Sequence, residues 1–438
     1  MRKMKDSEIE WIGEIPESWA TKKLSYYFKK IGSGTTPDTA NGYFYDGDYN
    51  WLQTGDLTDG YITSTSKRIT QEAVDAYSAL TFFKKGAVVI AMYGATIGKL
   101  GILDIDCFTN QACCALSEPK EANSKFVYYW LLCNRENIVR LSLGGGQPNI
   151  SQGIITSLKV PAPTSVEEQT RIVTYLDKEC AKIDAIITAK EKTNELLKER
   201  RQSIIYEAVT KGLDPTVPMK DSGIEWIGEI PTHWNTMRLR SKFSFGKGLP
   251  ITKADLRDSG VSVVSYGQIH SKHNIGTTIK TELIRYVDNV YLDTNASSLV
   301  NNGDFIFADT SEDLSGCGNC VYVDTNYPLF AGYHTMILRP IENTSSKYYS
   351  YLFATDAWRS QIRAQASGVK LFSITQKMLR DALLIEPSEE EKASIVSFLD
   401  DMCSTTNTII ASNEATIEKL KEYRQSVIYE AVTGKVEI

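Results

Sequence analysis

Three stretches of the chain carry residue types that could do chemistry. Glu390-Glu391-Lys392 has the Glu-x-Lys form found in many nucleases. It also completes Ser388-Glu389-Glu390-Glu391, a helix-capping box, and that explains it fully. Cys317-Gly318-Asn319-Cys320 has zinc-ligand spacing. A structural zinc needs four ligands, and no second pair stands at matching spacing, so these read as ordinary thiols. Gly94 to Lys99 has the look of a phosphate loop, but three residues separate its glycines and Leu100 stands where a Ser or Thr is required. The sequence contains neither an Asn/Asp-Pro-Pro-aromatic motif of adenine methyltransferases nor a His-Glu-x-x-His motif. With four scattered histidines, no catalytic constellation can be named.

The elements that would position any site are repeated. Arg201-Gln202-Ser203-Ile204-Ile205-Tyr206-Glu207-Ala208-Val209-Thr210 returns as Arg424-Gln425-Ser426-Val427-Ile428-Tyr429-Glu430-Ala431-Val432-Thr433. Upstream, Ile172-Val173-Thr174-Tyr175-Leu176-Asp177 returns as Ile395-Val396-Ser397-Phe398-Leu399-Asp400. Each run opens on a capping box, Ser165-Val166-Glu167-Glu168 and Ser388 to Glu391, with Pro161, Pro163 and Pro387 just ahead to stop backward extension. Between them Ile172, Leu176, Cys180, Ile183, Ile187, Lys190, Asn194, Leu197, Arg201, Ile204 and Ala208 step by threes and fours. The second copy repeats the pattern from Ile395 to Ala431. Such a seam predicts a coiled coil in which each copy pairs with the other, its polar positions fixing register. Roughly 40 residues at about 1.5 Å each make a rod of about 60 Å.

A lead-in segment also occurs twice. Met4 to Trp19 recurs as Met219 to Trp234, with changes only at Glu8, Glu17 and Ser18. The chain order is therefore lead-in, domain, helix, lead-in, domain, helix. Antiparallel pairing of the helices would bring the C-terminus near the N-terminus. Residues 20–164 and 235–387 are the unrepeated stretches. In the first, Ala87 to Met92 predicts a strand and Phe126 to Leu143 a helix. Asn301 to Ala308 and Tyr348 to Ala366 are their looser counterparts. The fold class is α+β, in two pseudo-symmetric halves. Each is a mixed α/β domain plus a long helix, the two helices forming an antiparallel coiled coil. The boundaries read as 1–164, 165–212, 213–387 and 388–438.

The 438 residues suffice for two or three domains with real cores. The start of the chain lacks an apolar stretch, so neither a signal peptide nor a membrane helix is expected. Eight cysteines without framework spacing predict reduced thiols in a cytoplasmic protein. The net charge of −6 argues at first sight against a nucleic-acid partner. Its acidity lies in the repeated segments, however, and both unrepeated stretches carry a slight excess of basic side chains, which permits a local basic face.

The paired Trp-Ile-Gly-Glu-Ile-Pro-x-x-Trp lead-ins, Gly34-Thr35-Thr36-Pro37, Gly94 to Lys99, Thr109-Asn110-Gln111, Gly146-Gln147-Pro148-Asn149-Ile150-Ser151 and Pro161-x-Pro163 together resemble the specificity subunit of type I restriction-modification enzymes, over the whole chain. The resemblance implies two target-recognition domains, each reading half of a split, asymmetric DNA site, with the helices setting the spacing. It implies a non-catalytic subunit with no cofactor of its own. S-adenosylmethionine, ATP and Mg would sit on its partners, two modification subunits and the ATP-dependent restriction subunits. The alternative is a stand-alone DNA-modifying enzyme or a DNA-binding regulator.

Base reading needs donors and acceptors that project from loops into a groove. In the first domain the candidates are Thr35, Thr36, Tyr93, Thr96, Lys99, Asn110, Gln111, Gln147 and Asn149, with Gly145 and Gly146 letting backbone amides approach phosphate. In the second they are Lys247, Lys253, Tyr266, Gln268, His270, Lys272, Asp309, Thr310, His334 and Lys370. The near-identical helix ends nominate Arg201, Gln202, Tyr206, Glu207, Arg424, Gln425, Tyr429 and Glu430 for partner docking. Packing alone accepts many apolar swaps and would not hold such a run so closely in both halves.

Overall fold

The computed structural model describes residues 2–142, 148–274, 276–342, 346–368 and 370–438. It divides into two compact units, residues 1–191 with 414–438, and residues 192–413. The division cuts each long helix in its interior, so each unit holds one α/β domain and a part of both helices.

In the first unit the strand Val88–Ala91 is apolar throughout because both its faces are covered. Val88 and Ile90 point into a core shared with the helices, while Val89 and Ala91 point into a second core with Leu52 and Phe83. This strand lies third in a five-stranded sheet, in the order Phe28–Gly32, Cys113–Pro119, Val88–Ala91, Leu100–Leu103, Gly60–Ile62. A four-stranded sheet covers its other side. In the second unit Phe305–Ala308 takes the same part, with Phe305 and Phe307 facing one core and Ile306 and Ala308 the other.

The expected strands are present. The two expected domain helices are each broken. Ser124–Cys133 is followed by Arg135–Arg140, and Lys347–Ala354 by Asp356–Arg363. At the first break the Asn134 amide donates back to the Trp130 carbonyl at 2.9 Å. At the second, Thr355 leaves the helical region (ψ 141°) and its hydroxyl caps Trp358 N at 3.2 Å, restarting the helix.

The long helices span Val166–Lys211 and Glu389–Val432. They pair antiparallel within each unit. In the first, Ile172, Leu176 and Cys180 pack in one core with Val427, Ile428 and Ala431, and Ile183 and Ile187 meet Ile417. In the second, Ile205 and Ala208 share a core with Ile395 and Leu399. The polar seam is used as well: the Asn413 amide donates to Asn194 Oδ1 at 2.8 Å, Arg201 reaches Asn407 at 2.6 Å, and Arg424 pairs with Asp184. Only the second capping box is complete. Ser388 and Glu391 bond reciprocally, whereas at Glu168 the Ser165 hydroxyl caps the backbone but the carboxylate has turned to Arg2 and Trp19.

Each domain leaves the scaffold beside the point where it joined. Trp19–Lys23 pairs antiparallel with Lys159–Pro163, and Asn235–Arg238 with Leu383–Glu386. In the first unit Gly434 lies against Pro16 and Trp19, so the start and end of the chain do meet.

Candidate nucleic-acid interface

Several of the candidate readers gather where the central strand of each domain runs out of its sheet. Beyond Ala91, Tyr93 bridges to Asn149 and the Met92 carbonyl accepts from Ile150 N at 2.8 Å. Beyond Ala308, Thr310–Ser311 pairs with Phe372–Ser373 and the Asp309 carbonyl accepts from Ile374 N at 2.8 Å. The two positions correspond. A glycine supports each from the neighbouring loop. Gly34 N donates to Thr109 Oγ1 at 2.9 Å, and a Cβ at Gly34 would stand 1.9 Å from the Thr109 carbonyl oxygen. At Gly248 it would stand 2.0 Å from that of Gly332.

In the first domain a surface chain links three candidates. The Thr36 hydroxyl donates to Gln111 Oε1, and Gln111 bonds in turn with the Tyr93 hydroxyl. Burial raises the Tyr93 phenol above its ordinary value, and the Gln111 bond works against that rise. Gln111 and Asn149 are exposed. Asn110 Oδ1 accepts from Ala112 N at 3.1 Å, and the Asn110 backbone N–H donates to the Leu52 carbonyl at 2.9 Å. Thr35 presents its carbonyl to Trp51 Nε1 at 3.2 Å. Thr96 and Lys99 close the turn between Gly94 and Gly98, both half-buried. A Cβ at Gly98 would meet Val139 at 2.9 Å, and one at Gly318 would meet Arg359 at 3.2 Å, so these glycines serve packing. Gly145, Gly146 and Gln147 lie outside the described residues.

In the second domain Tyr266, His270, Asp309, Thr310 and His334 form one cluster. The Tyr266 ring centroid lies 6.3 Å from that of His270 and 5.3 Å from that of His334. His270 spends both ring nitrogens, Nε2 on the Thr310 carbonyl at 2.9 Å and Nδ1 on the Asn319 amide at 3.0 Å. It is a brace and not a reader. Gln268 is also turned inward, its Oε1 accepting from Ser265 N at 2.9 Å in a capping box. Lys247, Lys253, Lys272 and Lys370 are exposed, as a phosphate contact requires. Sequence reasoning missed Tyr333 and Asn319, which complete the cluster; the aromatic beside His334, in the loop between two strands, was the available signal.

The repeated helix end sorts into two sets. Ile205, Ala208, Val209 and their counterparts Ile428, Ala431 and Val432 are buried. Tyr206 and Tyr429 donate to the Ile227 and Ile12 carbonyls of the lead-ins, at 3.2 and 3.4 Å. Arg201 and Arg424 bind across the helix pair, as described. The nominated residues left exposed are Gln202, Glu207, Gln425 and Glu430. Ile186 and Ile409, at matching places on the helices, are 46% and 43% exposed. Asp177 and Asp400 fasten the domains, Asp177 accepting from Lys125 and Tyr129 at 2.8 and 2.6 Å, Asp400 from Lys347 and Tyr351 at 2.7 and 2.6 Å.

Among the described residues no helix is long and apolar enough to cross a membrane, and no group of three or more His, Cys, Asp or Glu side chains is placed to hold a metal ion. The architecture is that of two copies of one domain type, each mounted on a shared helix pair.

Residues 16–198 and 231–419 match the type I restriction modification DNA specificity domain, and the chain belongs to that family. It is 26% identical over 315 residues to the type I restriction enzyme MjaIX specificity subunit of Methanocaldococcus jannaschii, covering 69% of this chain and 68% of that protein. It is 20% identical to the MjaVIII specificity subunit of the same organism over 97% of this chain and 94% of the relative. With the EcoKI specificity subunit of Escherichia coli K12 it shares 21% identity over 97% and 90%. Among solved structures, a chain from work on complex assembly and conformational transition of the type I R-M system superposes with a TM-score of 0.73 at 14% identity, covering 96% of this chain and 99% of that one. The HsdS subunit from Thermoanaerobacter tengcongensis gives 0.53 at 15% identity, over 96% and 98%. These two likenesses show a shared fold.

Proposed function

We propose that this specificity subunit reads a bipartite, asymmetric DNA site, one half with each domain, and docks two modification subunits on the exposed repeated faces of its helices. The observation that carries the reading is the pairing of equal scaffolds with unequal sites. Tyr93 stands in the first domain where Thr310 stands in the second, and Ala112 stands where His334 does, so the same framework ends in different side chains. Equal scaffolds fit equal partners, and unequal sites fit unequal half-sites. Helix length sets the spacer between them. The reaction belongs to the partners: S-adenosylmethionine for adenine methylation, and ATP and Mg for restriction, are bound there. This chain contributes recognition and assembly.

The test is genome-wide adenine methylation in a host carrying this chain with its modification subunit, against a host lacking only this chain. A split asymmetric motif that vanishes with the chain is the expected result. Exchange of residues 20–160 for another such domain should then alter one half of that motif. An unchanged methylome alongside an active partner would overturn the proposal.

A further inference from the structure

We infer that His334 is a base-reading side chain of the second domain, and that its Nε2 accepts a hydrogen bond from the exocyclic amino group of an adenine or a cytosine. The inference rests on the half-site reading above and adds to it the residue and the chemical group recognised.

Three observations converge on His334. Its backbone is left-handed, at φ +54°, a region that few non-glycine residues enter, although histidine does so more often than most. Its side chain is 57% exposed, so burial does not account for an imidazole there. Yet the ring is held. Asp309 Oδ1 stands 3.3 Å from Nδ1, Thr310 Oγ1 stands 3.4 Å from the same nitrogen, and the Tyr266 and Tyr333 rings pack at 5.3 and 6.0 Å. Asp309 and Thr310 directly follow the buried strand Phe305–Ala308, so the brace is anchored in the sheet. A strained, exposed and well-braced side chain is the form that ligand-contacting residues take.

The brace also selects the tautomer. The Thr310 hydroxyl has one hydrogen, and it is donated to Asp309 Oδ1 at 2.8 Å. Its contact with His334 Nδ1 therefore needs the hydrogen on the ring nitrogen, and the Asp309 carboxylate favours the same. In the neutral ring Nε2 is then the lone-pair atom. Among the described residues no hydrogen bond engages it. In the major groove an acceptor is matched by adenine N6 or cytosine N4, each an amino group. The same register position in the first domain holds the buried Ala112, so this device belongs to the second domain alone.

His334→Gly removes the imidazole and relieves the left-handed backbone, so the variant keeps its fold. Assembled with the modification subunit, it should methylate a motif relaxed at one position of one half-site, with the other half intact. A duplex whose amino group at that position is replaced by hydrogen should bind the unaltered complex roughly tenfold more weakly. It should bind the H334G complex no more weakly than the natural duplex. Asp309→Asn should relax the same position, because the amide no longer favours the Nδ1 hydrogen. A full, unrelaxed motif from H334G would overturn the inference, as would loss of both halves together. If the unaltered chain directs no bipartite motif, it is the half-site reading that fails instead.

Discussion

The Trp234 indole donates to the Glu391 carboxylate at 3.1 Å, tying the second lead-in to the first turn of the second long helix. Trp19 does the same to Glu168 at 3.1 Å. The repeated tryptophan and the repeated capping glutamate are thus one device, which explains why both recur. At Glu391 the carboxylate also accepts from His233 at 2.8 Å and from the Ser388 hydroxyl and amide at 2.8 and 3.1 Å. Burial pushes this carboxyl up, but the donors from Trp234, His233 and Ser388 outweigh it and hold the group at about 2, below its ordinary 4.5.

The sign of the pH effect follows. A depressed carboxyl contributes stability that is present above 4.5 and is lost as pH falls from there through about 2. Glu391→Gln should lower stability most at neutral pH, where the ionised carboxylate contributes in full, and should flatten the acid limb between 4.5 and about 2, as read from urea midpoints across pH. Ser388→Ala, which removes the cap hydroxyl, should cost about 1 kcal/mol at neutral pH.

The seam pair Asn194–Asn413 makes a second prediction. Asn194 is 6% exposed, so its amide cannot turn to water. Asn413→Leu should destabilise by about 1–3 kcal/mol, the cost of taking that donor from the buried Asn194 side-chain carbonyl. The double change Asn194→Leu, Asn413→Leu should recover much of that loss, since two apolar groups replace two polar ones. Thermal melts of the four proteins give the coupling directly, and additive losses would contradict the seam.

Much of this scaffold was legible in the sequence, and the reasons are local. Ser165 and Ser388 announce helix starts because capping is a short-range pattern. The steps from Ile172 to Ala208 announce a buried face because helical periodicity is built into the chain. Direction of a polar side chain is not local. His270 has the residue type of a base reader, but the fold turns it toward the Thr310 carbonyl and the Asn319 amide, which sequence does not place nearby. The same limit hid the breaks at Asn134 and Thr355. Both residues bond to carbonyls or amides of their own helices, and whether they do so depends on what the adjoining segments pack against.

Gly34 and Gly248 test the support beneath the two reading sites. At each, a Cβ would fall about 2 Å from a backbone oxygen, and neither oxygen belongs to a flexible side chain. Gly34→Ala and Gly248→Ala should each cost about 1–3 kcal/mol through overpacking. Gly34→Ala should also weaken recognition of the first half-site only, and Gly248→Ala of the second only. Methylation motifs of the two variants check the assignment of domain to half-site, and a motif weakened in both halves by either one would count against it.

Docking can be separated from folding because the repeated helix ends divide so cleanly. Glu207 and Glu430 are exposed, and no fold requirement holds them both as glutamate. Glu207→Lys should remove one modification subunit from the assembly and leave the other bound. Glu430→Lys should remove the opposite one, and the double variant both. Native mass spectrometry reads the stoichiometry, and circular dichroism should stay unchanged because neither side chain is buried. The effect of a charge reversal is electrostatic, so it should weaken as salt rises toward 1 M, where the screening length shrinks to about 3 Å. Retention of two modification subunits by the double variant at low salt would move the docking surface elsewhere, to the neighbourhood of Ile186 and Ile409.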